Sequence, residues 1–196
     1  LEKDYKQVLL RILNTYAPVD KTAADLMFAS GSMEKVKKNE IVFQENRFEA
    51  FEYFQLEGVS HRYNLDEDMQ ALTTGIYQGE TVITPHFART TNGQSIFTLQ
   101  ALMDSVYLKI PAGLFREISD QNQQIRMFGR AVIEKEFIRS LNFEILFRAF
   151  NAKDRLIWFR TKYSSLENLI PHTIIASFLG ITPVSFSRLR NDLARK

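Results

Sequence analysis

The sequence has no cysteine, which excludes disulfides, thiolate zinc sites, cysteine-ligated iron–sulfur clusters and cysteine nucleophiles together. That absence fits a reducing compartment. Long apolar runs are missing as well. None approaches the roughly 18 residues of a membrane span, and the chain opens on a charged stretch, so no membrane partner and no secretion signal are expected. A cytoplasmic location follows as the expectation. Eight glycines and five prolines are too few for a collagen-like or linker-dominated chain. There is no Gly-x-Ser-x-Gly, P-loop or dinucleotide fingerprint, and Gly79 and Gly93 stand alone. The three histidines, His61, His86 and His172, form no paired-ligand spacing, and the Asp66-Glu67-Asp68 run lacks the calcium-loop pattern. No enzyme, no metal and no cofactor are expected.

What the sequence does have is an ordinary core. It is 45% hydrophobic and 24% charged over 196 residues, enough for one domain or two small ones. The net charge of +2 hides an uneven split. Residues 151–196 carry eight Lys/Arg against three acids, a net +5, which leaves −3 for residues 1–150. Segregation of this kind suits a terminus that faces a polyanion, or equally a solvated helical surface.

Residues 2–30 read as helical, with Val8, Leu9, Ile12 and Leu13 at helical spacing and Pro18 as an interruption. Between Met33 and Ile110 short β-rich runs alternate with turns: 40–44, 52–56, 59–64, 71–77, 97–102 and 105–110. Such a succession argues for a small barrel or roll, with Phe43, Phe54 and Phe97 as inward core residues. After Pro111 the helical period returns through Ile118, Ile125, Phe128, Val132, Leu141 and Ile145. That helix is too long to lie on one roll, so a second copy packed about a twofold axis is expected to cover it. The alternative is a helix broken near Gly129 and folded back. A further helix is expected over 151–163.

The most informative stretch is His172–Asn191. Gly180 stands where a helix ends in a tight turn, Thr182 is an N-cap candidate, and Pro183 occupies the first helical position. Ala176 is small where two crossing helices would touch, and Ile175, Leu179, Ile181, Phe186 and Leu189 supply the hairpin's apolar contacts. Together these positions read as a helix-turn-helix, with a structural helical hairpin as the alternative. With Phe186 and Leu189 inward, Val184, Ser185, Arg188 and Asn191 face outward, where Arg188 can read guanine and Val184 a thymine methyl. Thr173, Thr182 and Ser185 sit at helix starts, where hydroxyls and free N–H groups suit phosphates. Double-stranded DNA is the partner this implies.

Ile175-Ala176-Ser177-Phe178-Leu179-Gly180-Ile181-Thr182-Pro183, then Phe186-Ser187-Arg188-Leu189-Arg190, is similar to the "IASxLGITPxxLSRxR" segment of the Crp/Fnr family of bacterial transcription regulators. Lys38-Asn39-Glu40-Ile41-Val42-Phe43 and Leu56-Glu57-Gly58-Val59 resemble the "KGExxF" and "LxGxV" turns of that family's roll. The resemblance implies an α+β chain: an N-terminal double-stranded β-helix, jelly-roll-like and cyclic-nucleotide-binding-like (1–117), a long dimerisation helix (118–148) and a helix-turn-helix domain (149–196). It also implies a homodimer on palindromic DNA, with RNA polymerase as a further candidate partner and an effector of unknown identity.

Two departures bear on function. Cyclic-nucleotide-binding members hold the ribose with a Gly-Glu pair and the phosphate with an Arg-Ser/Thr pair. Aligned through Gly79 and residues 105–110, those positions fall on Ile83-Thr84 and Ser95, which cannot replace a carboxylate and a guanidinium. A second alignment uses Gly79-Glu80 with Arg89-Thr90 but needs an insertion before the next strand. Cyclic AMP is therefore not expected to bind. In the reading head, Pro183 and Val184 stand where cyclic-AMP-type members have Arg and Glu, so a different operator is expected. The alternative is a ligand-binding or protein-interaction roll whose hairpin has lost DNA binding.

Overall fold

The structure, a computed structural model, describes residues 4–83 and 92–194. It opens with α1 (Tyr5–Tyr16), whose Asp4 cap accepts hydrogen bonds from the backbone N–H of Lys6 and Gln7. Val8, Leu9, Ile12 and Leu13 form its buried face. Pro18 splits the expected helical stretch in two, and Asp20 caps α2 (Lys21–Ala29) by accepting from the Ala23 N–H at 2.8 Å.

Among the described residues eight strands follow: β1 (Ser32–Val36), β2 (Ile41–Phe43), β3 (Phe51–Glu57), β4 (Val59–Leu65), β5 (Ala71–Gln78), β6 (Thr81–Ile83), β7 (Thr98–Ala101) and β8 (Ser105–Pro111). They form two four-stranded sheets, ordered β1-β8-β3-β6 and β2-β7-β4-β5. The pairs β1–β8, β3–β8, β3–β6 and β2–β7 are antiparallel. Strands β3 and β8 are buried on both faces, and the period of two sorts their side chains. Tyr53 and Tyr107 join Phe43, Phe97, Ile83 and Leu99 inside the roll. Phe54, Leu56, Leu108 and Ile110 point the other way, into a second core with α1 and α2.

Two turns explain the roll motifs. Gly58 has φ +106, and a Cβ there would stand 2.1 Å from Ser105 Oγ, so only glycine fits between β3 and β4. Asn39, where the family pattern has glycine, takes φ +70, a conformation that asparagine tolerates.

Beyond Pro111, α3 (Ala112–Gln121) is followed by α4 (Gln123–Ala149), 27 residues long. The break falls at Asn122, not Gly129: Asn122 Oδ1 accepts from the N–H groups of Gln124 and Ile125, starting a new helix there. Ile125, Phe128 and Val132 bury against the α1/α2 core. The chain ends with α5 (Ala152–Lys162), a 3-10 turn (Leu166–Asn168), α6 (His172–Phe178) and α7 (Pro183–Ala194). Compactness divides it into two units, Leu1–Arg62 with Ile76–Glu136, and Tyr63–Gly75 with Phe137–Lys196. The second has its own core, in which Phe178 packs edge-on against Phe143 at 5.4 Å and Phe159 at 6.1 Å. No helix among the described residues is long and apolar enough to cross a membrane.

Candidate functional site

The second unit contains the expected helix-turn-helix. Helix α6 ends in a left-handed turn: Gly180 has φ +63, its N–H donates to Ser177 O, and the Ile181 N–H reaches back to Ala176 O, both at 3.0 Å. That pair of bonds caps the last carbonyls of α6. Thr182 starts α7, its Oγ1 accepting from the Ser185 N–H at 3.1 Å and donating to Ser185 Oγ at 2.9 Å. Ile175, Ala176, Leu179 and Phe186 are buried at the crossing, and Leu189 is half-buried.

With that face anchored, the remaining positions turn outward. Val184 is 61% exposed, and Thr173, Thr182, Ser185, Arg188 and Asn191 are exposed too. Val184, Arg188 and Asn191 stand at i, i+4 and i+7, one stripe of α7. Arg188 makes no ion pair or hydrogen bond among the described residues, not even with Asp192 four positions on. Its guanidinium is available. The Thr182 and Ser185 hydroxyls are engaged in the cap, while both residues still mark the exposed N-terminus of α7.

Not every basic side chain of the tail is available in this way. Arg160 Nε and Nη2 donate to the two carboxylate oxygens of Glu167 at 2.6 and 2.8 Å, and Arg190 Nε adds a third contact at 3.2 Å. The Arg160 hydrogen bonds first, then the charges of Arg160 and Arg190, hold the Glu167 carboxyl below the usual carboxylate range. Arg155 lies over the Phe147 ring at 5.1 Å. Sequence reasoning passed over Glu167, because α5 ends at Lys162, between Arg160 and Glu167, and Arg190 lies on a different helix, so no helical spacing pairs them. It also passed over Ser177, whose Oγ accepts from the Thr73 N–H at 2.9 Å and donates to Ala71 O at 3.0 Å.

In the first unit, the candidate ligand residues divide. Gly79 is a turn residue at φ +65 whose N–H donates to Gly58 O. Glu80 accepts both hydrogen bonds of an Arg11 fork from α1, at 2.9 and 2.7 Å. Arg89 and Thr90 lie outside the described residues, as do Thr84 and His86. Ile83 is fully buried in the roll interior, and Ser95 Oγ is spent on the Phe97 backbone, donating to its O at 2.7 Å. His61 is buried with Nε2 3.0 Å from Gln100 Oε1, and burial lowers its pKa. Arg62, unremarked in the sequence, lies over Phe97 at 5.4 Å and donates to Glu136 Oε1 of α4 at 3.0 Å.

Helix α4 itself carries an apolar stripe away from its buried side. Met127, Phe137, Ile138, Leu141 and Ile145 are 44–64% exposed at helical spacing, while Ile125, Phe128, Val132 and Leu146 are buried.

No protein-family profile and no curated protein matches this sequence. Solved structures do match. FixK2 from Bradyrhizobium japonicum superposes with a TM-score of 0.74 at 14% identity, covering 84% of this chain and 85% of the other. The c-di-GMP responsive global regulator CLP of Xanthomonas campestris gives 0.73 at 12% identity, with 90% and 92% covered. A CooA variant from Carboxydothermus hydrogenoformans gives 0.71 at 18% identity, with 95% and 84% covered. The chain has the fold of these proteins, the roll, long helix and helix-turn-helix that the Crp/Fnr resemblance implies.

Proposed function

We propose that the chain is a DNA-binding transcription regulator of the Crp/Fnr type, acting as a homodimer through α4 and reading its operator with α7. The observation that carries this reading is the outer stripe of α7. Val184, Arg188 and Asn191 are exposed together on a helix whose opposite side is anchored by Phe186, and its N-terminus presents Thr182 and Ser185. A major-groove reader needs that division. The exposed apolar stripe of α4 supports self-association, because a second copy would bury it. Cyclic AMP is not the effector in this reading: Glu80 is committed to Arg11, and Ile83 and Ser95 offer neither a carboxylate nor a guanidinium.

Binding to random duplex at two salt concentrations tests the general claim, since phosphate contacts must weaken steeply as salt rises. Operator selection from a random library with wild type and Arg188→Ala tests the reading residue. A guanidinium paired to guanine O6 and N7 is worth about 1–3 kcal/mol of discrimination, so the variant's consensus should lose one base pair per half-site. The same consensus from both proteins would remove Arg188 from base readout.

A further inference from the structure

By charge alone, Arg188 and Arg190 count alike in the basic tail. The structure separates them. Arg190 follows the fully buried Phe186 by one turn and leaves α7 on its anchored side. There its Nε lies 3.2 Å from Glu167 Oε1, and its Nη1 lies 3.1 Å from the ring nitrogens of His172, the first residue of α6. The Glu167 side chain is only 14% exposed and belongs to the 3-10 turn before α6. It is also gripped by the two-pronged contact from Arg160 of α5. One carboxylate thus ties α5 to α7, and His172 brings in α6.

This arrangement bears on base reading through geometry. Phe186 fixes the depth of α7, but with Leu189 only half-buried the apolar contacts leave the helix some freedom to turn about its own axis. A second anchor one turn later, on the same side, removes that freedom. Rotation by about 20° would move a group about 6 Å from the axis by about 2 Å, more than a hydrogen bond tolerates. Arg188, projecting from the far side, would lose a bidentate pairing at that displacement.

We infer that Glu167 is a positioning residue for the recognition helix, acting through Arg190, and that Arg190 is held out of phosphate contact. The inference rests on the reading of α7 as a DNA-binding helix and assigns a division of labour within it: Arg188 reads and Arg190 holds.

The test uses the full-length chain with wild type, Arg190→Gln, Arg190→Lys and Glu167→Gln, each measured on a selected operator and on random duplex across a salt series. Fluorescence of Trp158, the only tryptophan, first verifies that the second unit of each variant is folded. Arg190→Gln should keep the wild-type salt slope on random duplex and lose about tenfold of the preference for operator. Arg190→Lys keeps the charge but not the planar guanidinium that meets Glu167 and His172 together, and should show the same loss, which keeps the test decisive if the glutamine variant does not fold. Glu167→Gln frees two arginines, so random-duplex binding should tighten and its salt slope steepen while the preference falls. A slope flattened by about one phosphate contact in Arg190→Gln would place Arg190 on the DNA backbone and overturn the inference. So would an unchanged operator preference in both Arg190 variants. The two failures are distinguishable: wild-type protein without salt-sensitive duplex binding removes the DNA reading and the positioning role with it. A binding wild type with indifferent variants removes only the role of Glu167 and Arg190.

Discussion

Gly180→Ala should destabilise the second unit by about 2 kcal/mol, and the structure gives the parts of that figure. Residue 180 has φ +63, where an L side chain costs about 1–2 kcal/mol relative to glycine. The added Cβ would stand 3.0 Å from Phe147 Cε1 and 3.3 Å from Arg155 Nη1, inside ordinary contact distance. Phe147 is 42% exposed and can move, but the Arg155 guanidinium lies 5.1 Å from its ring centre. Displacing the ring weakens that cation–π pair, worth about 0.5–1 kcal/mol where solvent reaches it. Urea unfolding followed by Trp158 fluorescence isolates the effect, because the indole packs against Phe143 at 5.5 Å and Phe178 at 6.3 Å within the same unit. With a urea dependence of about 2 kcal/mol per molar, the midpoint should fall by about 1 M. Gly180→Asn should lose about half as much, since asparagine tolerates the left-handed region. An alanine variant as stable as wild type would show that the turn does not need this conformation, and the account of how α6 hands over to α7 would fail.

Charging the α4 stripe with Phe137→Glu or Leu141→Glu should convert a dimer into a monomer at micromolar concentration in sedimentation experiments. Both side chains are already exposed, at 64% and 44%, so the fold of a single chain should survive. A wild type that sediments as a monomer, or a charged variant that still dimerises, would refute the role given to that face. Cyclic AMP should produce no saturable heat in calorimetry, because Glu80 is held by Arg11 and the positions aligned with the nucleotide contacts carry Ile83 and Ser95. Tight binding would promote Glu80 with Arg89 as the contacts.

The parts legible in the sequence are those where a local backbone demand selects an unusual residue. Gly180, Thr182 and Pro183 mark the helix-turn-helix because a left-handed turn, a cap and a first helical position each admit few residue types. The longer strands are legible as β-rich runs set between turns, and Gly58 through its place in a turn that the structure shows to exclude any Cβ. β1 escaped notice because it is largely exposed and charged, with only Val36 buried, and β6 because three residues are too few for a period. The sequence reads as one long helix after Pro111, with a break near Gly129 only as the alternative, whereas the break between α3 and α4 falls at Asn122. An asparagine side chain that satisfies two N–H groups outweighs a glycine in the middle of a helix.

The candidate site was legible only in its outline. Helical spacing fixes which side of α7 a residue occupies once Phe186 is known to be buried, so the outward placement of Val184, Arg188 and Asn191 followed from the sequence. What spacing cannot fix is the partner of a long charged side chain. Arg160 and Arg190 meet Glu167, Arg62 meets Glu136 74 positions away, and the Thr73 N–H meets Ser177 104 positions away. Each encounter depends on chain folding that no local pattern encodes. The consequence for a tail of net charge +5 is specific: counting charge overstates the groups a polyanion can use. Arg160 and Arg190 neutralise a carboxylate within the domain, and Arg155 is engaged with an aromatic ring. Nonspecific affinity scales with the phosphates neutralised, and each internal pairing removes a cation from that sum. In the proposed reading Arg188 keeps its charge for DNA, on a helix whose rotation the internal pairs hold in place.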